Sequence, residues 1–308
     1  MDIITEKVRQ QYLSYPFPNS GENIDFYTNA DWFVRVLSFF EEISPKSKQS
    51  FLEDSSVLEA GCGTAPTISK IAQLYPSCNA VGVDLSTESL KIARTVKNKY
   101  NLRNLHFREA NILEMDLGAK FDVIICVGVL HHLSNMDLGL DQLKKHLNKG
   151  GYIMLWLYGK HGRYRLNLHQ QLFKTLFSQV GSLKKKISLT KEFLAHASSE
   201  NMASHIDTPN QTPTSSFDEN LKQTLKNESW FVDQYLHVNE NTLTISEILT
   251  MLNKHGLNLL RWLGIDLSFQ TYVNHSEITN LFSQLNQVEK LNCLDLLLKP
   301  NYYMLAIN

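Results

Sequence analysis

The chain has 308 residues, of which 43% are hydrophobic and 20% are charged. This much apolar material in a chain of this length can bury a full core, which excludes small disulfide-stapled proteins and intrinsically disordered chains. The 30 Lys and Arg residues nearly balance the 31 Asp and Glu residues. A near-neutral charge argues against a protein whose main task is to grip nucleic acid.

The spacing of the cysteines and the length of the apolar runs indicate in which compartment the protein works and whether it enters a membrane. The four cysteines show no CxxC spacing, so we expect free thiols. The first residues lack the basic region and the apolar run of a signal peptide. The longest uninterrupted apolar stretch, 123–130, is far shorter than the roughly 20 residues that a membrane-spanning helix needs. We therefore expect a cytoplasmic protein that does not enter a membrane.

Short apolar runs alternate with helical patterns from about residue 50 onward. The first run ends in a glycine-rich turn, and apolar residues then recur at helical spacing from Thr67 to Leu74. Further helices are expected at 86–100, 137–147 and 244–252. This alternation predicts βαβ units and a doubly wound parallel sheet with helices on both faces. Strands are predicted at 55–60, 80–84, 105–108, 121–126, 152–157, 257–263 and 302–307.

The alternation stops for about 85 residues after the fifth predicted strand. This segment contains amphipathic patterns at 166–180 and 221–226 around a Ser/Thr/Asn/Pro-rich stretch at 196–220, which is typical of a loop. We therefore expect a helical cap at 1–49, a core made of 50–158 and 244–308, and a helical insertion at 159–243 that acts as a lid.

The turn after the first strand carries the strongest functional signal. Gly61 and Gly63 permit backbone angles that other residues avoid and let a ligand approach the main chain. The helix that follows offers unpaired N–H groups. Asp84 comes 21 positions after Gly63, at the end of the second strand, where a carboxylate can accept both hydroxyls of a ribose. The pair indicates a cofactor that contains a nucleoside.

The residues around the turn discriminate between cofactors. A dinucleotide fingerprint needs a third glycine, and Pro66 stands there instead. Glu59, just before the turn, would repel a pyrophosphate, whereas it suits a ligand that carries an ammonium or a sulfonium. A tight strand–helix turn that binds nothing is the alternative interpretation.

Five segments, in order, resemble the motifs of class I S-adenosylmethionine-dependent methyltransferases. The similarity covers about 50–158 and extends to 244–263 and 302–307. It implies a Rossmann-like α/β fold with a seven-stranded, mostly parallel sheet, and S-adenosylmethionine as the cofactor. The matching segments read EAGCGT at 59–64, VGVDLS at 81–86, EANILEM at 109–115, FDVIICVGVLHHL at 121–133 and LNKGGYI at 147–153.

The resemblance also implies a role for individual residues. Gly61 and Gly63 would face the methionine end of the cofactor, Asp84 the ribose, and Leu85 and Ile112 the two faces of the adenine. The adenine position, commonly Asp in the family, is Asn111 here, whose amide oxygen can still accept from the adenine amino group. Three further residues of the matched motifs complete the predicted cofactor site: Glu59, Cys62 and Val127.

Methyl transfer from a sulfonium is an in-line displacement, so the enzyme mostly positions the nucleophile and desolvates the site. A general base is needed only where the acceptor is protonated. His131 and His132 follow the fourth strand, and either can serve as that base. The alternative is that this His-His pair caps the next helix and packs. We expect no metal.

Residues that contact the methyl acceptor should come from the cap, from the insertion, or from the end of the fifth strand. The segment 8–18 is similar to an opening, Q-Y-x-x-Y/F-P-Y/F-P, of a bacterial subgroup of these methyltransferases, and 230–237 resembles its D-x-Y-L-H segment. An aromatic opening of this kind can close over the cofactor as a lid, although simple docking of the cap is equally consistent. The candidate residues are Tyr12, Tyr15, Tyr158, Arg163, Tyr235 and His237.

The sequence thus favours methyl transfer to an oxygen or nitrogen of a small molecule or of a peptide or protein residue. Methylation of RNA or tRNA is an alternative, and it requires a basic channel from 184–186 to Arg163 and Arg165. A non-catalytic cofactor sensor or subunit is another. The oligomeric state and the identity of the acceptor are not determined by the sequence.

Overall fold

The computed structural model describes residues 1–19, 21–25, 33, 52–196 and 227–308. Most of the predicted cap beyond residue 25, the polar stretch from 197 and the helix expected at 221–226 lie outside the described residues. Seven strands are described, and they bear out the expected strands closely: β1 Ser56–Ala60, β2 Asn79–Asp84, β3 Leu105–Glu109, β4 Phe121–Val127, β5 Leu147–Tyr158, β6 Leu259–Trp262 and β7 Tyr302–Ile307.

The described helices connect these strands or flank the sheet. Several begin at polar caps that the sequence displays, such as Ser86, whose Oγ accepts from the N–H of Ser89, and Thr244, which forms a capping box with Glu247. The helices are α1 Ile3–Ser14, α2 Pro66–Leu74, α3 Thr87–Lys99, α4 Met136–Lys145, α5 Tyr164–Leu176, α6 Leu183–His196, α7 Glu228–Tyr235, α8 Ile245–Lys254, α9 Ser276–Gln284 and α10 Gln287–Leu298.

The strands form one sheet in the order β3-β2-β1-β4-β5-β7-β6. The first five run parallel to one another, and β7 is antiparallel to both of its neighbours. β1 and β4 are adjacent at the centre, where the order of the chain reverses. Ligands of doubly wound sheets bind at such a switch point, beyond the carboxyl ends of the strands.

The sheet is buried on both faces, as the apolar runs of β1 and β4 predict. Successive side chains of each strand point to opposite faces and form two core clusters. These include Val57, Val123 and Met154 on one face and Leu58, Ile124 and Ile153 on the other. A third cluster belongs to the segment between β5 and α8, where α5, α6 and α7 pack through Phe173, Leu194 and Phe231, among others.

The two ends of this inserted segment lie side by side. Gly159 forms a parallel bridge with Leu243, and the N–H of Leu243 donates to the carbonyl of Tyr158 over 3.0 Å. The insertion therefore leaves and rejoins the core at one place, next to the end of β5.

Two predicted strand starts differ from the structure by two residues or more. The fifth strand begins at Leu147 rather than 152, because Leu147 pairs with Phe121 of β4. The sixth strand begins at Leu259 rather than 257, because the N–H of Leu257 donates to the carbonyl of Leu252 and so closes α8. Between β6 and β7, α9 and α10 are separate helices because Asn286 caps the start of α10. Cys62, Cys78, Cys126 and Cys293 are free thiols. Within the described ranges, every helix is too short or too polar to cross a lipid bilayer.

Candidate active site

The glycine-rich turn joins β1 to α2 at the switch point. The N–H groups of Gly61 and Cys62 both donate to the carbonyl of Val83, over 2.8 and 2.9 Å, which ties the turn to the end of β2. Gly63 has a positive φ of 55°, and a Cβ at this position would collide with the carbonyl oxygen of Phe17. Glycine is therefore needed there both for the backbone angle and for the approach of the amino-terminal segment.

Asp84 lies at the end of β2 with its carboxylate against the turn. One oxygen accepts from the N–H of Gly63 and the other from the N–H of Ser86, each over 2.8 Å. Burial raises the pKa of this carboxyl, while these backbone hydrogen bonds oppose the rise. A carboxylate offers about four lone-pair positions, so each oxygen retains capacity for a further donor such as a ribose hydroxyl.

Glu59 is buried behind the turn rather than in the wall of the cavity. Its carboxylate accepts from the N–H of Ile68, in the first turn of α2, over 3.1 Å. Burial raises the pKa of Glu59 to about 8, against the hydrogen bonds from α2. The side chain of Glu59 thus stabilises the start of α2 by accepting from one of its first amides.

A cavity opens beyond the carboxyl ends of β1, β2 and β4. Of the predicted cofactor residues, Gly61, Gly63, Asp84, Leu85, Asn111 and Ile112 line it, together with Tyr12 and His132 from the other predicted sets. Cys62, Val127 and Glu59 are not part of its wall. Eight further lining residues were not among the predicted site residues. Six of them lie within the segments matched above, namely Val8, Phe17, Ala110, Gly128, Val129 and Leu133, and two lie outside, namely Thr5 and Ser89.

Asn111 presents an unpaired donor to this cavity. Its Oδ1 accepts from the N–H of Leu113 over 3.1 Å, and its buried Nδ2 has no hydrogen-bond partner among the described residues. The amide oxygen has a second lone pair, so the expectation that it receives the adenine amino group stays a prediction. The free N–H of Asn111 suits a ring nitrogen of adenine, which is an acceptor.

The amino-terminal segment forms one side of the cavity. Ser86 Oγ donates to the carbonyl of Tyr12 over 3.0 Å, and Thr64 Oγ1 donates to the carbonyl of Pro18 over 2.8 Å. Phe17 stacks on Trp230 of α7 with ring centroids 5.7 Å apart. The segment 8–18 therefore bridges the glycine turn and the insertion.

The two adjacent histidines have different environments. His131 is fully buried, its ring lies 4.0 Å from that of Tyr158, and it is not in the cavity wall. Burial, helped by the neighbouring cationic groups, lowers the pKa of His131 well below its usual value, so this ring is neutral. His132 lines the cavity, and the structure thus separates a packing histidine from one that faces the site.

Behind His132 lies a partly buried polar cluster. The Tyr12 hydroxyl is 3.1 Å from Asp233 Oδ1 and 3.1 Å from His237 Nε2, and the His237 ring stacks on His132 at 3.7 Å. Burial raises the pKa of Asp233, and it lowers the pKa of His237 well below the usual value. The sequence placed Tyr12 and His237 in one predicted set without linking them, and it left Asp233 out of that set.

Arg163 and Tyr158 form the next layer. The guanidinium makes a two-point ion pair with Glu240, at 3.1 and 2.9 Å, and lies 3.5 Å from the centre of the Tyr158 ring. Tyr235 packs in the hydrophobic cluster of the insertion, and Tyr15 packs against that cluster. None of these four predicted substrate residues lines the cavity.

The side chains of His132, Asp233 and His237 place three ligand-type atoms within 4.8 Å of one another. A metal-bound imidazole directs its lone pair in the plane of the ring, at about 2.0–2.1 Å from the ion. The planes of the two stacked rings differ by only 22°. Their lone pairs therefore do not converge on one ion, and the absence of a metal stays a prediction.

The chain matches the family described as Methyltransferase domain over residues 52–261, more than half of its length. It therefore belongs to the class I S-adenosylmethionine-dependent methyltransferases, which confirms the fold and the cofactor expected from its sequence. An uncharacterized protein of Synechococcus is 24% identical over 262 residues, which are 84% of this chain and 60% of that protein.

Two further similarities support less than the family match does. Malonyl-[acyl-carrier protein] O-methyltransferase of Bacillus cereus is 29% identical over 114 residues, 36% of this chain and 41% of that enzyme. The structure of PKMT2 from Rickettsia typhi in complex with AdoHcy superposes with a TM-score of 0.64 at 20% identity, over 90% of this chain and 52% of that one. This chain thus spans about half of that structure, and the likeness shows the fold.

Proposed function

We propose that this protein transfers a methyl group from S-adenosylmethionine to an oxygen or nitrogen of a small molecule or of a peptide or protein residue. The observation that carries the proposal is the composition of one cavity wall. Asp84 and Asn111 line it on the side of the predicted cofactor motifs, and Tyr12 and His132 line it as well. A cofactor-binding motif and a candidate base therefore share one cavity.

The cavity residues fit the cofactor. Asp84 has lone pairs left for the ribose hydroxyls, Leu85 and Ile112 offer apolar surface for the adenine, and the Asn111 N–H lacks a partner. When bound, the cofactor supplies a methyl group on a positively charged sulfur. The chain contributes position, exclusion of water by the segment 8–18, and a proton acceptor at His132.

The placement of the basic groups supports a small or peptidic acceptor over RNA. Methylation of RNA requires a basic channel that includes Arg163, but its guanidinium is buried against Glu240. Lys184 and Lys185 are exposed in the first turn of α6, away from the residues that line the cavity.

Calorimetric titration with S-adenosylmethionine and with its demethylated product tests the cofactor site. Asp84→Ala should weaken binding by about 1–3 kcal/mol, the usual effect of losing hydrogen bonds to a charged group, or about 5- to 150-fold. Asp116→Ala is the matched control, because Asp116 is an exposed carboxylate outside the cavity wall. An Asp84→Ala variant with the wild-type dissociation constant would contradict the assignment.

Methyl-labelled cofactor then identifies the acceptor. The protein is incubated with a cell extract separated into small molecules, proteins and RNA, and we expect label in one of the first two fractions. Label in RNA would overturn the proposed acceptor class. Binding of the cofactor with no label in any fraction would favour the sensor or subunit alternative.

A further inference from the structure

Asn239 lies between His132 and His237 and contacts both rings through its main chain. Its carbonyl oxygen is 2.8 Å from His132 Nδ1, and its N–H donates to His237 Nδ1 over 3.1 Å. Its side-chain amide donates to the carbonyls of His132 and Leu133, over 3.1 and 3.0 Å. The side chain therefore holds the main chain of Asn239 in place against the two rings.

These contacts determine which nitrogen carries the hydrogen when a ring is in its neutral form. A carbonyl oxygen can only accept, so Nδ1 of His132 carries a hydrogen. A backbone N–H can only donate, so Nδ1 of His237 is a lone pair. A neutral imidazole has one N–H. His132 therefore has its lone pair on Nε2, whereas His237 has its hydrogen on Nε2.

The partners of His237 agree with this assignment. Its Nε2–H donates to the Tyr12 hydroxyl, and that hydroxyl donates to Asp233 Oδ1. Hydrogen bonds therefore run without a break from the N–H of Asn239 through His237 and Tyr12 to Asp233. Nε2 of His132 is different, because the hydrogen bond that the His132 ring makes within the described residues is the one at Nδ1. Since His132 lines the cavity, this lone pair is available to a bound molecule.

We propose that Asn239 is a positioning residue that assigns opposite tautomers to the two stacked histidines and so makes Nε2 of His132 the base for the methyl acceptor. This inference rests on the proposed function. In the step it serves, the proton of the acceptor O–H or N–H goes to Nε2 of His132. The electron pair that remains forms a bond to the methyl carbon, and the carbon–sulfur bond breaks with its electrons on the sulfur.

The tautomers are measured directly by nitrogen-15 NMR of the full chain labelled at histidine, with signals assigned through His132→Gln and His237→Gln. We expect the hydrogen of His132 on Nδ1 and that of His237 on Nε2. A hydrogen on Nε2 of neutral His132 would overturn the inference. This measurement does not depend on methyl transfer, so it separates a failure of the inference from a failure of the proposed function.

Asn239→Ala tests the positioning role. Without the two side-chain hydrogen bonds the segment loosens, and we expect each ring to sample both tautomers and methyl transfer to slow by about 10- to 100-fold, the usual effect of losing a group that orients a functional histidine. The dissociation constant of the cofactor should stay within about twofold of the wild-type value, because Asn239 is not in the cavity wall.

Asn241→Ala is the matched control. Its side chain donates to the carbonyl of His131 over 3.1 Å, on the same turn, and has no hydrogen bond to His132 or His237. We expect wild-type tautomers and rates for this variant. Equal losses in the Asn239→Ala and Asn241→Ala variants, with unchanged tautomers, would show a purely structural role and refute the positioning proposal.

Discussion

Replacing Glu59 with Gln should remove a pH dependence of folding that originates in one buried carboxyl. In the fold its pKa is about 8 because of burial, against an ordinary value of 4.5. A group whose pKa is raised by folding contributes stability that is fully present below the ordinary pKa. That contribution is lost as the pH rises through the pKa of the folded state. The wild-type protein should therefore lose stability between about pH 5 and pH 8 because Glu59 must ionise.

The size of the effect follows from the roughly three pH units between pH 5 and pH 8, which lie between the two pKa values. At about 1.4 kcal/mol for each pKa unit, the loss over that interval is about 4 kcal/mol. In a protein of this size it corresponds to about 6 °C in Tm. Gln keeps an oxygen that can accept from Ile68 and has no charge to bury, so the Glu59→Gln variant should lack this loss.

Thermal unfolding at a series of pH values, followed by circular dichroism, measures the difference between the two proteins. Glu53→Gln serves as the control because Glu53 is exposed and precedes the same strand. The difference in Tm between Glu59→Gln and the wild type should grow in favour of the variant as the pH rises. A difference that is constant across the series would refute the assignment of a raised pKa to Glu59.

Two more predictions concern the turn and the α4–α8 contact. Gly63→Val should detach the amino-terminal segment, because the valine side chain would overlap Phe17 and position 63 has a positive φ. Proteolysis within residues 1–19 should accelerate, and cofactor binding should be lost. A variant that resists proteolysis and binds the cofactor would contradict the role of Gly63. Burial disfavours a charge on His255, but its hydrogen bonds to Asp137 and Asp141 outweigh this and raise its pKa. The wild type should therefore lose stability as the pH rises through that raised pKa, His255→Gln should not, and equal pH profiles in thermal unfolding would count against the ion pairs.

The parts of the molecule that sequence predicted well are those encoded by contiguous residues. The turn at Gly61 and Gly63, the acid at the end of β2 and the buried run of β4 each lie within a short segment, and their order along the chain implies a parallel sheet. The family match confirmed the fold and the cofactor that these segments indicated. A short sequence segment is enough to predict a turn or a strand whose role depends on its own conformation.

The remaining features depend on contacts between distant segments. The sequence around Glu59 allows its side chain to face either a ligand or α2. The hydrogen bond from the N–H of Ile68 shows that it faces α2. His131 and His132 are adjacent and both buried, and only the folded structure shows that His132 alone lines the cavity. Tyr12 and Asp233 are 221 positions apart, so no window of sequence joins them.

Residues that meet beside the cavity are far apart along the chain, and this affects the order in which the site forms during synthesis of the protein. Tyr12 meets His237 across 225 positions, and the Gln11 side chain accepts from the N–H of Val238 across 227. A growing chain that already contains β1 to β5 has the glycine turn and Asp84 but not the residues that hold Tyr12 and orient His132. Closing so long a loop carries an entropic cost that local contacts do not offset. The cofactor motifs are therefore synthesised well before the residues that complete the amino-terminal side of the cavity.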